Sequence, residues 1–229
     1  MSLPLRHPHT TPATAAEAEA IQLGLRRHTV LDGSGPAPGA PGTVAGVDVA
    51  YDDGRDLVAA AAVALDAVTL EVVDRATAVG PVAFPYVPGL LAFRELPAVL
   101  DALGRLRRTP DLVVCDGYGI AHPRRFGLAS HLGVLTGLPT IGVAKNPFTF
   151  RHQPPAPHRG AFTPLLDGDT EVGRALRTRD GVKPVFVSPG HRVTLDGACA
   201  HALDLATHYR LPETTRQADR LCRQALSAA

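Results

Sequence analysis

Thr43-Val-Ala-Gly-Val-Asp-Val-Ala-Tyr51 is the segment from which the fold can be inferred. Its alternation is typical of a strand and places Val47 and Val49 on one face and Asp48 on the other. Two more strands are predicted over 57–65 and 68–79, with a tight connection around Asp66-Ala67. Three strands joined this closely predict an antiparallel meander.

The remainder of the chain alternates short apolar segments with helical ones. Strands are predicted over 111–116, 140–145 and 185–187, and helices over 13–28, 97–108, 127–136, 195–209 and 214–226. Pro97 is expected in the first turn of its helix, and Gly137 is expected to end the helix before it. The sequence therefore predicts an α/β fold with a mixed central sheet, an antiparallel meander followed by parallel strands, and helices on both faces.

A length of 229 residues and a mass of 24.0 kDa suit one domain over 1–229. Residues 1–12 are rich in Pro, Thr and His and predict a flexible tail. Segment 33–42 contains seven Gly or Pro residues and predicts a loop. The proline-rich segment 151–164 predicts a further loop that leaves the domain body and returns.

Composition excludes several classes of protein. With 45% hydrophobic and 20% charged residues, the chain is not a disordered protein. It contains no apolar run of about 18 residues and no apolar signal-peptide core, so we expect no membrane partner. Three widely spaced cysteines argue against a disulfide framework and a zinc site. We expect a cytoplasmic monomer without an obligate protein partner.

Charge is balanced overall but unevenly distributed. The net charge is +1, with a local balance of −5 over 43–80 and +4 over 174–192. An acidic patch beside arginine-rich segments fits divalent metals held near a polyanion. Since arginine supplies 21 of the 23 basic residues, the same pattern also fits a genomic bias in composition.

Charged residues stand at the ends of two buried strands. Asp116 follows the apolar strand 111–115 and precedes Gly117, and Lys145 ends the next strand. Ligands of such sheets bind outside the carboxyl ends of parallel strands, so these residues indicate a site. Asp48 by itself also fits an exposed aspartate on an edge strand, and Lys145 by itself fits a lysine that covers apolar surface.

Known catalytic signatures narrow the chemistry. The chain has no His-Glu-x-x-His zinc motif, no Gly-x-Ser-x-Gly elbow and no glycine-rich phosphate loop. The carboxylates that remain suit Mg²⁺, which binds through one or two carboxylates plus waters and phosphate oxygens.

Pro85-Tyr-Val-Pro88 predicts a stiff tip that carries an aromatic ring. Tyr86 fits a wedge that pushes between nucleic-acid bases, and it equally fits a tyrosine packed in a tight turn. Glu95 is expected next to the start of the following helix, where it adds a third carboxylate.

Over residues 43–219 the chain resembles the endonuclease V family of deoxyinosine-directed repair nucleases. The resemblance rests on six segments, which read Gly46-Val-Asp-Val-Ala-Tyr51, Pro85-Tyr-Val-Pro-Gly-Leu-Leu-Ala-Phe-Arg-Glu95, Asp116-Gly-Tyr-Gly-Ile-Ala-His-Pro-Arg-Arg-Phe-Gly-Leu-Ala-Ser-His131, Gly142-Val-Ala-Lys145, Leu176-Arg-Thr-Arg179 and Val187-Ser-Pro-Gly-His-Arg192. It implies an RNase H-like fold and a nuclease that uses Mg²⁺, with Mn²⁺ as a substitute.

The resemblance also implies roles for individual residues. Asp48, Asp116 and Glu95 are the implied metal ligands, Lys145 balances charge near the scissile phosphate, and Tyr86 is the wedge. The implied hypoxanthine pocket consists of Gly89, Leu91, Gly117, Gly119, His122 and Leu128. Arg94, Arg124, Arg125 and Arg192 are candidate phosphate contacts, each with a structural ion pair as the alternative. The family cuts the second phosphodiester 3′ to the lesion and leaves 3′-hydroxyl and 5′-phosphate ends.

Three positions depart from the family pattern. Family members usually carry His at the position of Tyr118 and a basic, glycine-containing stretch at Asn146-Pro147. Asp219 stands where some members have a histidine near the metal, and its role stays open beside simple surface ion pairing.

Two other functions share these residues. An RNase H-like nuclease acting on inosine-containing RNA, or on branched DNA without lesion specificity, would use the carboxylates but not the Tyr86 wedge. A non-catalytic inosine-binding module would bind equally with and without Mg²⁺. The sequence does not distinguish DNA from RNA, because contacts to a 2′-hydroxyl leave no readable pattern.

Overall fold

Residues 43–81 form the predicted meander at one edge of an eight-stranded sheet. The computed structural model describes residues 3–229. The strands are β1 Thr43–Asp52, β2 Leu57–Asp66, β3 Val72–Pro81, β4 Leu112–Cys115, β5 Thr140–Ala144, β6 Phe162–Asp167, β7 Thr170–Leu176 and β8 Val185–His191. The helices are α1 Ala15–Arg26, α2 Leu91–Gly104, α3 Leu128–Thr136, α4 Leu195–Asp204 and α5 Glu213–Ser227.

The strands lie in the order β3-β2-β1-β4-β5-β8-β7-β6. β1, β2 and β3 pair antiparallel, while β4 and β5 continue the sheet parallel to β1. β8 runs antiparallel to β5 and begins a second antiparallel group with β7 and β6. The predicted mixed sheet with a meander and parallel strands is therefore confirmed.

Helices cover both faces of the sheet, because strand alternation sends apolar side chains to both sides. Ala45 and Val47 of β1 share one core with α2 and α3. Val44 and its neighbours on β4 and β5 face α4, and the opposite side of β2 packs on α5. β1 is thus a central, covered strand, which rules out the exposed edge position considered for Asp48.

The structure corrects two predicted elements. The helix predicted over 97–108 begins at Leu91, so Pro97 lies inside α2 rather than in its first turn, and Glu95 lies within the helix. Burial of Leu96 against the sheet and of Phe93 against α1 outweighs the hydrogen bond that the proline removes. The loop predicted over 151–164 is wrong for its last three residues, which belong to β6, and β6 and β7 form an unpredicted hairpin whose turn contains Gly168 at φ 59°.

The predicted tail is packed where the structure describes it. Residues 1 and 2 lie outside the described residues, and residues 3–12 form neither helix nor strand. The backbone N–H of Arg6 donates to the carbonyl of Leu135 at 2.6 Å, and the His9 ring lies 6.1 Å from that of Phe93. No helix among residues 3–229 is both long and apolar enough to span a membrane.

Candidate active site

Four charged residues from four elements line one open cleft of about 430 Å³. Asp48 lies on β1, Asp116 directly follows β4, and Lys145 directly follows β5. Glu95 reaches the same cleft from α2. The sheet order β1-β4-β5 explains the convergence, because the carboxyl ends of neighbouring parallel strands lie side by side.

Two of the three carboxylates share a single ammonium group. Lys145 Nζ forms an ion pair with Asp116 and lies 3.9 Å from Asp48 Oδ2. The side chains of Asp48 and Asp116 are only 12% and 15% exposed, so water screens their charges poorly. The hydroxyl of Tyr51, on β1, donates to Glu95 Oε1 at 3.1 Å and holds that carboxylate of α2 in place.

Burial makes these carboxylates hard to ionise. Burial, with the charge of Asp116, raises the pKa of Asp48 to about 7. Burial, with the charge of Asp48, raises the pKa of Glu95 to about 8, and burial also raises the pKa of Asp116. Burial alone would lower the pKa of Lys145, but the neighbouring carboxylates outweigh it and raise that pKa. One ammonium does not offset all three carboxylates once they ionise, so the site favours a further cation.

The chemistry of this cluster fits a divalent cation. Asp48 Oδ2 is buried and has no hydrogen-bond partner in the described part of the chain. An unpartnered buried carboxylate oxygen between other carboxylates is costly unless a cation approaches it. Across residues 3–229, no three His, Cys, Asp or Glu side chains are arranged to hold a metal by themselves. A cation at this site would therefore need further ligands, such as water or phosphate oxygens.

Most of the predicted base pocket lies in the same cleft. Its lining includes Tyr86, Gly89, Leu91, Gly117, His122 and Leu128. Tyr86 is 69% exposed at the rim, so the alternative of a packed core tyrosine is wrong.

Gly119 does not line the cleft. Its N–H donates to Ser188 Oγ at 2.8 Å, and a Cβ at this position would lie 1.9 Å from the carbonyl oxygen of Pro189. Gly119 therefore lies behind the pocket, where the chain passes against β8, and its glycine is required by packing.

Protein partners already occupy the four candidate arginines. Arg94 binds Asp53 at 3.0 Å, Arg124 binds Glu19 at 3.1 Å, and Arg125 binds Asp167 at 2.8 Å. Arg192 follows β8 next to the start of β5, at the end of the strands opposite to Asp116. It donates to Ser34 Oγ at 3.0 Å. The structure thus shows the ion pairs for the first three and does not bring Arg192 to the cleft.

Two of the departures from the family pattern contact each other. The Tyr118 hydroxyl donates to the carbonyl of Asn146, and its ring lies 5.9 Å from that of Phe148. The Phe148 ring is also 6.2 Å from His122, so these residues form one wall of the cleft. Asp219 pairs with Arg223 at 3.0 Å and lines an adjoining groove that also contains Lys145.

Sequence reasoning missed two residues of the site. Tyr51 lies on the same face of β1 as Val49, the face that α2 covers. Its position two residues after Val49 could have predicted that it faces α2 and Glu95. Gln22 is buried on α1 and donates a hydrogen bond to the carbonyl of Gly89 in the pocket. In the sequence, only its apolar helical neighbours indicated that it is buried.

Comparison with known proteins gives one family. The profile of the Endonuclease V family matches residues 25–220. Endonuclease V of Streptomyces avermitilis is 68% identical over 225 residues, which span 98% of each chain. A crystal structure of the enzyme from that organism superposes with a TM-score of 0.92 at 66% identity and covers 100% of this chain and 99% of its own.

A more distant structure contains nucleic acid. Endonuclease V of Ciona intestinalis, in complex with a 24mer DNA containing an inosine followed by a ribo-adenosine, has a TM-score of 0.79 and 26% identity. The match covers 93% of this chain and 98% of the Ciona chain. The expected RNase H-like fold is confirmed by these neighbours. With the carboxylate cleft in place and most of its length matched, the chain belongs to the Endonuclease V family.

Proposed function

We propose that this protein is a Mg²⁺-dependent endonuclease that recognises hypoxanthine in DNA and hydrolyses the second phosphodiester 3′ to it. The products are 3′-hydroxyl and 5′-phosphate ends. The observation that carries the proposal is the convergence of Asp48, Glu95 and Asp116 beside Lys145 in a cleft rimmed by Tyr86. The inosine-containing DNA bound by the Ciona relative supports the choice of substrate.

Each charged residue has a part in the hydrolysis. Asp48 and Asp116, with Glu95 as the third member, would hold Mg²⁺, or Mn²⁺ in its place. The metal, when bound, polarises the scissile phosphate and lowers the pKa of the attacking water. Lys145 neutralises the carboxylates in the free protein and can turn its ammonium towards the phosphate. Tyr51 holds Glu95 in position through its hydroxyl.

The rest of the cleft selects the base. Tyr86 stands exposed at the rim, where its ring can fill the gap that a flipped nucleotide leaves. Hypoxanthine presents O6 and N1–H on its pairing edge and lacks adenine's amino group. Main-chain groups at Gly117 can approach that edge closely, because glycine has no side chain of its own.

The test is cleavage of matched oligonucleotides with and without one hypoxanthine, as DNA and as RNA, in Mg²⁺ or in EDTA. A single Mg²⁺-dependent nick at the second phosphodiester 3′ of hypoxanthine in DNA is the expected result. Preferential cutting of the RNA would assign the protein to inosine-containing RNA. Cutting that ignores the base would remove the pocket and wedge roles, and binding that is unaffected by EDTA without cutting would indicate a non-catalytic reader.

A further inference from the structure

The carbonyl oxygen of Gly89 receives three donors from two distant parts of the chain, α1 and residues 122–124. Gln22 Nε2 lies at 3.0 Å, His122 Nε2 at 2.9 Å and Arg124 Nη2 at 2.8 Å. Because a carbonyl oxygen has two lone pairs, these donors use its full capacity. Gly89 lies three residues after Tyr86, so this cluster fixes the base of the loop that carries the wedge.

The loop itself is a tight turn that requires glycine. The Leu90 N–H donates to the carbonyl of Val87 at 2.9 Å, with Pro88 and Gly89 as the central residues. Gly89 has φ 82°, which fits the third position of a type II turn. Gln22, His122 and Arg124, which bind the Gly89 carbonyl, are called the clamp below. A Cβ at Gly89 would lie 2.8 Å from Arg124 Nη2, so this arrangement of the clamp requires a glycine.

Gln22 is the member of the clamp that comes from α1. Its side chain is 1% exposed, and every polar atom of it is bonded. Nε2 also donates to the carbonyl of Phe126 at 3.2 Å, and Oε1 accepts from Arg124 Nε at 2.6 Å. A buried amide that is fully bonded ties the wedge loop, Arg124 and the segment before α3 into one unit.

His122 is fully occupied by the same unit. Its Nδ1 accepts from the backbone N–H of Arg124 at 3.2 Å, so Nε2 carries the proton that it donates to Gly89. Burial lowers the pKa of His122 to about 4 and keeps the ring neutral. Since both ring nitrogens are taken, His122 can offer the flipped base its ring but not a hydrogen bond.

We propose that Gln22 is a positioning residue for base selection, which acts with His122 and Arg124 by holding the carbonyl of Gly89. Gln22 precedes the region matched by the family profile, residues 25–220. The part of α1 that contains Gln22 therefore supports the pocket from outside the matched region. The inference rests on the proposed function, because it assigns to the clamp the placement of the Tyr86 wedge against hypoxanthine DNA.

The test removes the two hydrogen bonds that Gln22 donates, in Gln22→Glu, which keeps the side-chain shape and the oxygen that accepts from Arg124. Gln224→Glu, the same change at an exposed position of α5, is the matched control. Both are made in a Tyr86→Trp background, where the new residue is the only tryptophan of the chain. Tryptophan anisotropy and acrylamide quenching are read in the free protein, and cleavage of hypoxanthine and adenine DNA is measured with Mg²⁺.

In Gln22→Glu we expect a lower anisotropy and stronger quenching than in the control. The preference for hypoxanthine over adenine should fall about tenfold through KM, as expected when two buried hydrogen bonds are lost, with kcat less affected. A folded Gln22→Glu protein that equals the control in both readouts overturns the proposal. If Gln22→Glu does not fold, Arg124→Lys, which keeps the charge near Glu19 but not the paired donors, is measured in the same way.

The two proposals fail in different ways. Tryptophan mobility is read without nucleic acid, so it reports on the clamp whatever the substrate is. A wild-type protein, with Tyr86 in place, that ignores hypoxanthine refutes the proposed function, whereas unchanged tryptophan mobility in Gln22→Glu refutes the clamp.

Discussion

At the scale of the residue, Lys145 governs the charge balance of the cleft. Its ammonium is the cation closest to Asp48 and Asp116, with one direct ion pair and one separation of 3.9 Å. Glu95 relies instead on the Tyr51 hydroxyl. The arrangement leaves a net negative site, and this makes the charge of Asp116 the first one to alter.

Asp116→Asn should abolish hypoxanthine-directed cutting while the protein stays folded. The amide keeps the shape but removes a preorganised charge, and we expect a loss of at least about 10²–10³-fold in rate. Burial raises the pKa of Asp116, so neutralising it does not cost the fold a favourable charge. Single-turnover cleavage with Mg²⁺ and thermal unfolding measure the two effects. Asp101→Asn, on the exposed side of α2 where Asp101 pairs with Arg105, is the control, and a metal-responsive Asp116→Asn enzyme would contradict the assignment.

Tyr86→Ala should weaken discrimination between hypoxanthine and undamaged DNA. The exposed ring supplies stacking worth roughly 1–3 kcal/mol per base, so the ratio of kcat/KM values should fall by about one to two powers of ten. Phe162→Ala removes another half-exposed aromatic ring, on β6 outside the cleft, and serves as the comparison. Equal discrimination in the two variants would reject the wedge role.

At the scale of the element, the close approach of α5 to β1 places the helix over the catalytic strand. A Cβ added at Gly46 would lie 2.2 Å from the carbonyl oxygen of Thr214 at the start of α5. The helix then covers the face of β1 that carries Asp48. The buried environment of that carboxylate therefore depends on a glycine two residues before it.

Gly46→Ala should destabilise the protein, whereas Gly24→Ala should stabilise it. The first substitution forces α5 away from β1, which costs more than about 1–3 kcal/mol. The second meets open space in the interior of α1 and relieves the entropy cost of glycine in a helix, roughly 0.5–1 kcal/mol. Urea unfolding of both variants measures the difference. A Gly46→Ala protein as stable as the wild type would show that α5 does not pack this tightly.

At the scale of the whole molecule, a mixed sheet with helices on both faces buries charged groups that it cannot fully pair. The carboxyls of Asp48 and Glu95 have pKa values of about 7 and about 8 when folded, above their ordinary values of 3.8 and 4.5. Folding therefore takes up protons between about pH 4 and pH 8, and these groups favour the folded state less as the pH rises.

Without divalent cations, the stability that these two carboxyls contribute should decline from about pH 4 to pH 8. Thermal unfolding of the wild type and of an Asp48→Asn, Glu95→Gln double variant isolates this contribution. Buried histidines such as His131, whose pKa is lowered to about 3 by burial, act in the opposite direction but are common to both proteins. The wild type should lose stability relative to the variant as the pH rises, and Mg²⁺ should restore it most at pH 8. Parallel profiles would mean that the carboxyls are not strained.

The sequence was sufficient for features that depend on local order. The meander, the buried strands before Asp116 and Lys145, and the end of α3 at Gly137 follow from alternation, apolar runs and glycine. The motifs around Tyr86 and Asp116 placed most cleft residues correctly. Local signals failed where packing overruled them, as at Pro97 inside α2, and the β6–β7 hairpin was missed despite its Asp167-Gly168 turn signal, because Pro164 in β6 is typical of a loop.

By itself, then, the sequence determined the fold class through local alternation and apolar runs, and the family through its resemblance to known members, which also implied the set of carboxylates. Only the tertiary structure decided that Gly119 packs behind the pocket, that Arg192 lies at the ends of the strands opposite to the cleft, and that Gln22 reaches Gly89. Gln22 and Gly89 are 67 positions apart in the chain. No local pattern encodes such a contact, because it arises when α1 packs beside the wedge loop and a buried amide must find partners.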